Sequence, residues 1–209
     1  TKPTPTTYNL TYIINRKQDQ LVAEDESGNI DFFSQDALRN KELEGKLKNF
    51  KRFTIAYSGE EFFPNLVIVD TPGLEEPGTL KDLGTKKEIY SSNAVVFVLD
   101  AKFPISAQER DHLVDILVTF PNKKVFVVLN KCDGIAPEEI ENIKTQIKDS
   151  VLTKNPAAKI DEIISASASA TTASDSNFSL VAFKEALSGF LSDEIKSYRR
   201  KELAEIETL

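Results

Sequence analysis

Residues 94–133 read AVVFVLDAKFPISAQERDHLVDILVTFPNKKVFVVLNKCD, and the alternation within them decides the fold. Two apolar runs, 94–100 and 124–129, carry almost no polar interruption. Such runs suit strands buried on both faces, as in a parallel sheet. Parallel neighbours need a long crossover, usually a helix. The segment between the runs supplies one. Ser106 and Glu109 have the spacing of a capping box, and Leu113, Ile116, Leu117 and Phe120 follow at helical spacing.

The pattern continues in both directions. Downstream, a helix is predicted from Pro137, with Ile140, Ile143, Ile147 and Val151 on one stripe. Its acids come early and its lysines late, matching the helix dipole. Residues 160–164 give a last short strand, and 165–177 are a Ser/Ala/Thr-rich loop. A final helix is expected to bury Leu180, Phe183, Leu187 and Leu191. Its charged continuation, 192–209, keeps Ile195, Tyr198, Leu203 and Ile206 roughly in phase. Upstream, 8–15 read as a strand, and 17–35 as an inserted hairpin or loop with a Ser27-Gly28-Asn29 turn. Leu38, Leu43 and Leu47 have roughly helical spacing. Residues 52–58 and 65–70 read as two strands of a hairpin, followed by a Gly/Pro-rich loop over 71–84. Strands alternating with helices define an α/β sheet covered on both faces.

Composition narrows the function. The formal net charge is −7. Binding that neutralises nucleic-acid phosphates is therefore disfavoured, and so is direct attraction to an anionic membrane. No run approaches the ~18 apolar residues of a membrane span. Cys132 is the single cysteine, which excludes an internal disulfide and fits a reducing cytoplasm. The lone His112 reads as structural or solvated, and no Cys/His cluster suggests zinc.

Three motifs carry chemistry. Asp70-Thr71-Pro72-Gly73 ends the apolar run LVIV. A carboxylate at the carboxyl end of a buried strand sits where α/β sheets bind ligands, and it can hold Mg²⁺ through water. Gly73 lacks a Cβ, so its N–H can approach a γ-phosphate. Asn130-Lys131-Cys132-Asp133 ends the run VFVVL. The Asp133 carboxylate can accept both N–H groups on the Watson–Crick edge of guanine. Adenine presents one donor and one acceptor there, so such a site discriminates by ~10⁴ or more. The Lys131 stem can cover a base face, and Asn130 can tie neighbouring loops. The third strand ends EIISASAS. A Ser-Ala pair there can offer a backbone N–H to the guanine carbonyl. Ser167-Ala168 is the preferred register and Ser165-Ala166 the alternative. Each motif alone is matched by an ordinary polar turn. The order of the three, each after its own strand, points to a guanine-nucleotide site.

This set resembles the GTPase domains of translation-factor-class GTPases. The stretch FTIAYSGEEFFPNLVIVDTPGL (53–74) and the opening Pro3-Thr4-Pro5-Thr6-Thr7 narrow the resemblance to the dynamin superfamily. Bacterial dynamin-like and mitofusin-like members are the nearer match, through VDTPG and VLNKCD. The resemblance implies a P-loop GTPase-type three-layer α/β/α sandwich with a mostly parallel sheet. It places a partial GTPase domain over residues 1–192 and the start of a connecting helix towards a stalk over 193–209. It implies GTP/GDP and Mg²⁺ as cofactors. Thr7, or alternatively Thr6, is the switch I threonine that contacts the metal and places the attacking water. Asp70 holds the metal's water shell, and Gly73 binds the γ-phosphate and leads switch II. Hydrolysis then proceeds by positioning and charge stabilisation. The partners implied are a guanine nucleotide, a second copy across the nucleotide face, and a membrane reached through regions outside these residues. The protein is then cytoplasmic and peripheral to a membrane, and no nucleic acid is expected. A pseudo-GTPase scaffold and a non-membrane regulatory GTPase are the alternatives.

One departure stands out. The phosphate loop G-x-x-x-x-G-K-[ST] is absent from the 209 residues. Gly45-Lys46 is the one Gly-Lys pair, with Asn40 in place of the first glycine and Leu47 in place of Ser or Thr. In the family, the strand before that loop is central to the sheet, and losing it leaves apolar strand edges unpaired. A preceding segment of some tens of residues carrying strand and loop is therefore expected. The lack of any methionine points the same way.

Overall fold

The computed structural model describes residues 10–16, 19–33, 49–58, 66–71, 83–103, 105–167 and 180–207, the side chains of 83–85 and 198–207 excepted. The chain divides into two compact units, Thr1–Ser91 and Ser92–Leu209.

In the first unit, β1 (Leu10–Asn15), β2 (Gln20–Asp25), β3 (Ile30–Phe33), β4 (Phe50–Tyr57) and β5 (Val67–Asp70) form one sheet. Their order is β3-β2-β4-β1-β5. The expected hairpin over 17–35 is present: β2 and β3 pair antiparallel, Leu21 opposite Phe33. Gly28, at φ 83°, supplies the left-handed residue its turn needs. The expected hairpin of β4 with β5 does not form. β1 lies between them, parallel to β4 and antiparallel to β5. The six residues of β1 are all half-buried, so the strand suits an interior place in the sheet. The core is Leu21, Ala23 and Phe53, with Phe33, Phe50 and Ile55 packed against it. Phe33–Phe50 and Phe50–Phe53 meet edge to face at 5.9 and 5.7 Å, a favoured aromatic geometry. A helix, α1 (Leu83–Ser91), was not legible in the sequence. Among its described side chains Ile89 is the buried one, and one residue makes no stripe. The segment with Leu38, Leu43 and Leu47 lies outside the described residues.

In the second unit the sequence reading and the structure coincide closely. β6 (Ala94–Asp100), α2 (Ala107–Thr119), β7 (Lys124–Asn130), α3 (Pro137–Lys154), β8 (Ile163–Ser165) and α4 (Val181–Glu207) follow in turn. The sheet is parallel throughout, in the order β6-β7-β8. The capping box of α2 closes both ways: Glu109 N–H donates to Ser106 Oγ at 3.1 Å, and Ser106 N–H donates to Glu109 Oε2 at 2.7 Å. Pro137 opens α3, where its missing N–H costs nothing. Ile140, Ile147 and Val151 are buried, as the stripe requires. Phe183 and Phe190 of α4 both meet Phe126 of β7 edge to face, at 6.2 and 5.8 Å. Leu180, expected inside, is 38% exposed because it precedes the first turn of α4. The charged continuation is helical to Glu207.

Each sheet ends on a strand with exposed apolar residues. These are Val67 and Ile68 on β5, and Val96 and Val98 on β6. Among the described residues, no helix is long and apolar enough to cross a membrane.

Candidate nucleotide-binding site

Asp100 and Asn130 are register partners at the carboxyl ends of β6 and β7. That is the end at which open α/β sheets bind ligands. Asn130-Lys131-Cys132-Asp133 leaves β7 there and is stitched to both neighbours. Ala101 N–H donates to the Asn130 carbonyl at 2.8 Å on one side. On the other, Cys132 N–H donates to the Ala166 carbonyl at 3.1 Å, and Ala166 N–H donates to the Leu129 carbonyl at 2.8 Å. The Ala166 N–H is thus committed to the sheet. Lys131 sits at φ 63°. A non-glycine residue in the left-handed region costs roughly 1 kcal/mol or more, and such strain concentrates at functional sites. Gly134, at φ 77°, occupies the third position of a turn closed by Ile135 N–H on the Cys132 carbonyl at 3.2 Å. A turn with positive φ at that position favours glycine.

The charged side chains of this loop are held from outside it. Ser167 is 2% exposed. Its hydroxyl donates to Asp133 Oδ1 at 2.6 Å. Asp133 Oδ2 lies 3.8 Å from Lys102 Nζ. Lys131 Nζ donates to Asp100 Oδ2 at 2.6 Å, and Lys102 N–H donates to Asp100 Oδ1 at 2.9 Å. The Lys131 bond first, with the Lys102 N–H assisting, holds the Asp100 carboxyl below its ordinary value. The sign follows. This pair is intact above the ordinary carboxylate pKa and is lost only as acid protonates Asp100 below it. Asp100 and Lys102 were not singled out in the sequence. The signal was available: an acid ending the strand beside the one that ends in Asn-Lys-x-Asp.

Cys132, the variable position of the motif, is fully buried, and its thiol donates to the Leu129 carbonyl at 3.1 Å. Burial pushes the thiol pKa up. The thiol therefore stays protonated and shielded at neutral pH, and a thiolate is the reactive form. Iodoacetamide at pH 7.5 is expected to leave Cys132 unlabelled in the native protein and to label it fully in denaturant, read by mass spectrometry. Rapid native labelling would contradict this packing. Because the folded pKa is raised, the associated stability is present below the unfolded pKa and lost as pH rises through the folded one.

In the first unit, Asp70 ends β5 opposite Thr11 of β1 and is exposed. One exposed strand-end carboxylate fits Mg²⁺, which keeps most of its water and takes one or two protein carboxylates. Among the described residues no group of three or more His, Cys, Asp or Glu side chains gathers into a metal cluster. Thr6, Thr7, Gly73 and Ala168 lie outside the described residues. A groove of about 390 Å³, bounded by Lys124, Phe126, Glu162, Ile164, Phe190 and Asp193, lies at the opposite end of β7 from the motif.

Two chains of an oligomerised bacterial dynamin pair, described in connection with long-range sensing and tethering of membranes, superpose with TM-scores of 0.71 and 0.77. They share 18% and 19% identity with this chain, cover 87% and 93% of it, and have 33% and 41% of their own length matched. The fold is that of a GTPase-type α/β domain. The dynamin family model matches residues 1–132, and the chain belongs to the dynamin family. Dynamin-like protein 1 of Campylobacter jejuni is 28% identical over 198 residues, covering 86% of this chain and 26% of that protein. The tRNA modification GTPase MnmE of Thermotoga sp. is 32% identical over 149 residues, covering 63% of this chain and 32% of MnmE. The chain therefore spans about a quarter to a third of these relatives.

Proposed function

We propose that the intact protein binds and hydrolyses GTP, and that its nucleotide cycle drives self-association coupled to a membrane. The observation that carries the nucleotide part is the Ser167–Asp133 hydrogen bond at 2.6 Å. It fixes the carboxylate at the exit of β7, and a carboxylate there can accept the two N–H groups of guanine. The Ser167-Ala168 register is preferred over Ser165-Ala166, because the Ala166 N–H already donates to Leu129 and is not available to a base carbonyl. Asn130 ties the loop, and Lys131 lies along the base face. Asp70 would hold Mg²⁺ through its water, Thr7 or Thr6 would supply the switch I contact, and Gly73 would contact the γ-phosphate. Bound Mg²⁺ would neutralise phosphate charge.

Self-association and membrane coupling rest on family membership and on the oligomerised, membrane-tethering dynamin pair with the same fold. The partial domain is taken as 1–192, with 193–209 as the start of a connecting helix. A cytoplasmic protein peripheral to a membrane follows from the same reading. A scaffold that binds partners without turnover is the second reading. Phosphate release from GTP by the intact protein separates the two. Release stimulated by liposomes, with a larger assembly in a non-hydrolysable GTP analogue than in GDP, is expected. No release above buffer would leave the scaffold reading.

A further inference from the structure

The end of β6 and the loop after it form two ion pairs with the base motif. Asp100 holds Lys131 at 2.6 Å, and Lys102 approaches Asp133 at 3.8 Å. These two charged residues thus face both charged residues of Asn130-Lys131-Cys132-Asp133. The second pair is long and exposed on both sides, and such pairs contribute little. The first differs. The Lys131 side chain is exposed, but Asp100 is 26% exposed, the contact is short, and both Asp100 oxygens are bonded, one to the Lys131 ammonium and one to the Lys102 N–H. The parallel register Asp100↔Asn130 places it one residue from the motif's lysine on the adjacent strand. A carboxylate fixed by the sheet therefore anchors the tip of a side chain whose own backbone is strained, at φ 63°.

We propose that Asp100 is a positioning residue for base recognition: it anchors the Lys131 ammonium so that the lysine's aliphatic stem is preset against the face of the guanine base. This rests on the guanine-site reading given above. A lysine stem free in solvent samples many rotamers and loses that freedom on binding, and a preset stem has already lost it. Asp100 touches neither base nor phosphate in this account. Its removal should therefore weaken GTP and GDP alike, and only through Lys131.

The test is the affinity of the intact protein for fluorescent GDP and GTP, in wild type, Asp100→Ala, Lys131→Ala and the double variant. Asp100→Ala is expected to weaken both nucleotides about three- to tenfold, the scale of immobilising one rotamer-rich side chain. On the Lys131→Ala background, the same change is expected to add less than about twofold, because coupled residues are not additive. Asp100→Asn keeps the shape and the bond from Lys102 N–H, and serves if the alanine variant misfolds. It should show the same loss and the same coupling. Wild-type affinity in Asp100→Ala, or losses that multiply in the double variant, would overturn the positioning role while leaving guanine binding standing. Failure of wild type to bind guanine nucleotide would overturn both.

Discussion

Replacing Asp133 by alanine in the intact protein is expected to weaken GTP and GDP binding by about 10²–10⁴-fold, with folding unchanged. Two hydrogen bonds to an ionised carboxylate carry about 1.5–3 kcal/mol each, and every 1.4 kcal/mol is about tenfold. The variant removes both acceptors and leaves Ser167 without its partner at 2.6 Å. The Asp133 side chain is partly exposed, so water can reach the gap and the fold should tolerate the change. Asp133→Asn sharpens the test. Xanthine has a carbonyl where guanine has its exocyclic amine, so an amide that donates and accepts matches xanthine better. The asparagine variant should lose guanine affinity and gain affinity for xanthine nucleotides, measured by calorimetry. Unchanged guanine binding in both variants would remove Asp133 from the site.

Replacing Phe126 by alanine is expected to be the most destabilising single change in the second unit. Phe126 is 4% exposed and joins β7 to α4 through two edge-to-face contacts, with Phe183 and Phe190. Buried Phe→Ala changes cost about 3–5 kcal/mol, against a total domain stability of about 5–15 kcal/mol. Urea denaturation should show the midpoint falling steeply, with α4 detaching first. Phe103→Ala is the control. Phe103 is 69% exposed, and exposed substitutions shift stability by about 0.5 kcal/mol or less. Equal effects of the two would mean that α4 does not pack on β7 as described.

The two units differ in how much of each was legible. β6, α2, β7 and α3 could be read because their signals are local. These are continuous apolar runs, the Ser106–Glu109 box, and Pro137 with its early acids. The place of β1 between β4 and β5 was not readable, because sheet order depends on contacts between residues distant in sequence. A nine-residue segment between β4 and β5 looks like a hairpin connection whether or not another strand fills the gap. α1 left no stripe to find. At the site, Asn130, Lys131, Asp133 and Ser167 could be named from order and spacing. Their relation to Asp100 could not, because it depends on the register of two parallel strands and on the left-handed turn at Lys131.

The most direct measurement is a titration of the intact protein with fluorescent GTP, competed by unlabelled GTP, GDP and ATP. Competition by GTP and GDP, with ATP ineffective at concentrations ~10³-fold higher, is the expected result for a site built on Asp133. Equal competition by ATP, or no binding by folded protein, would contradict the guanine-nucleotide site on which the account stands.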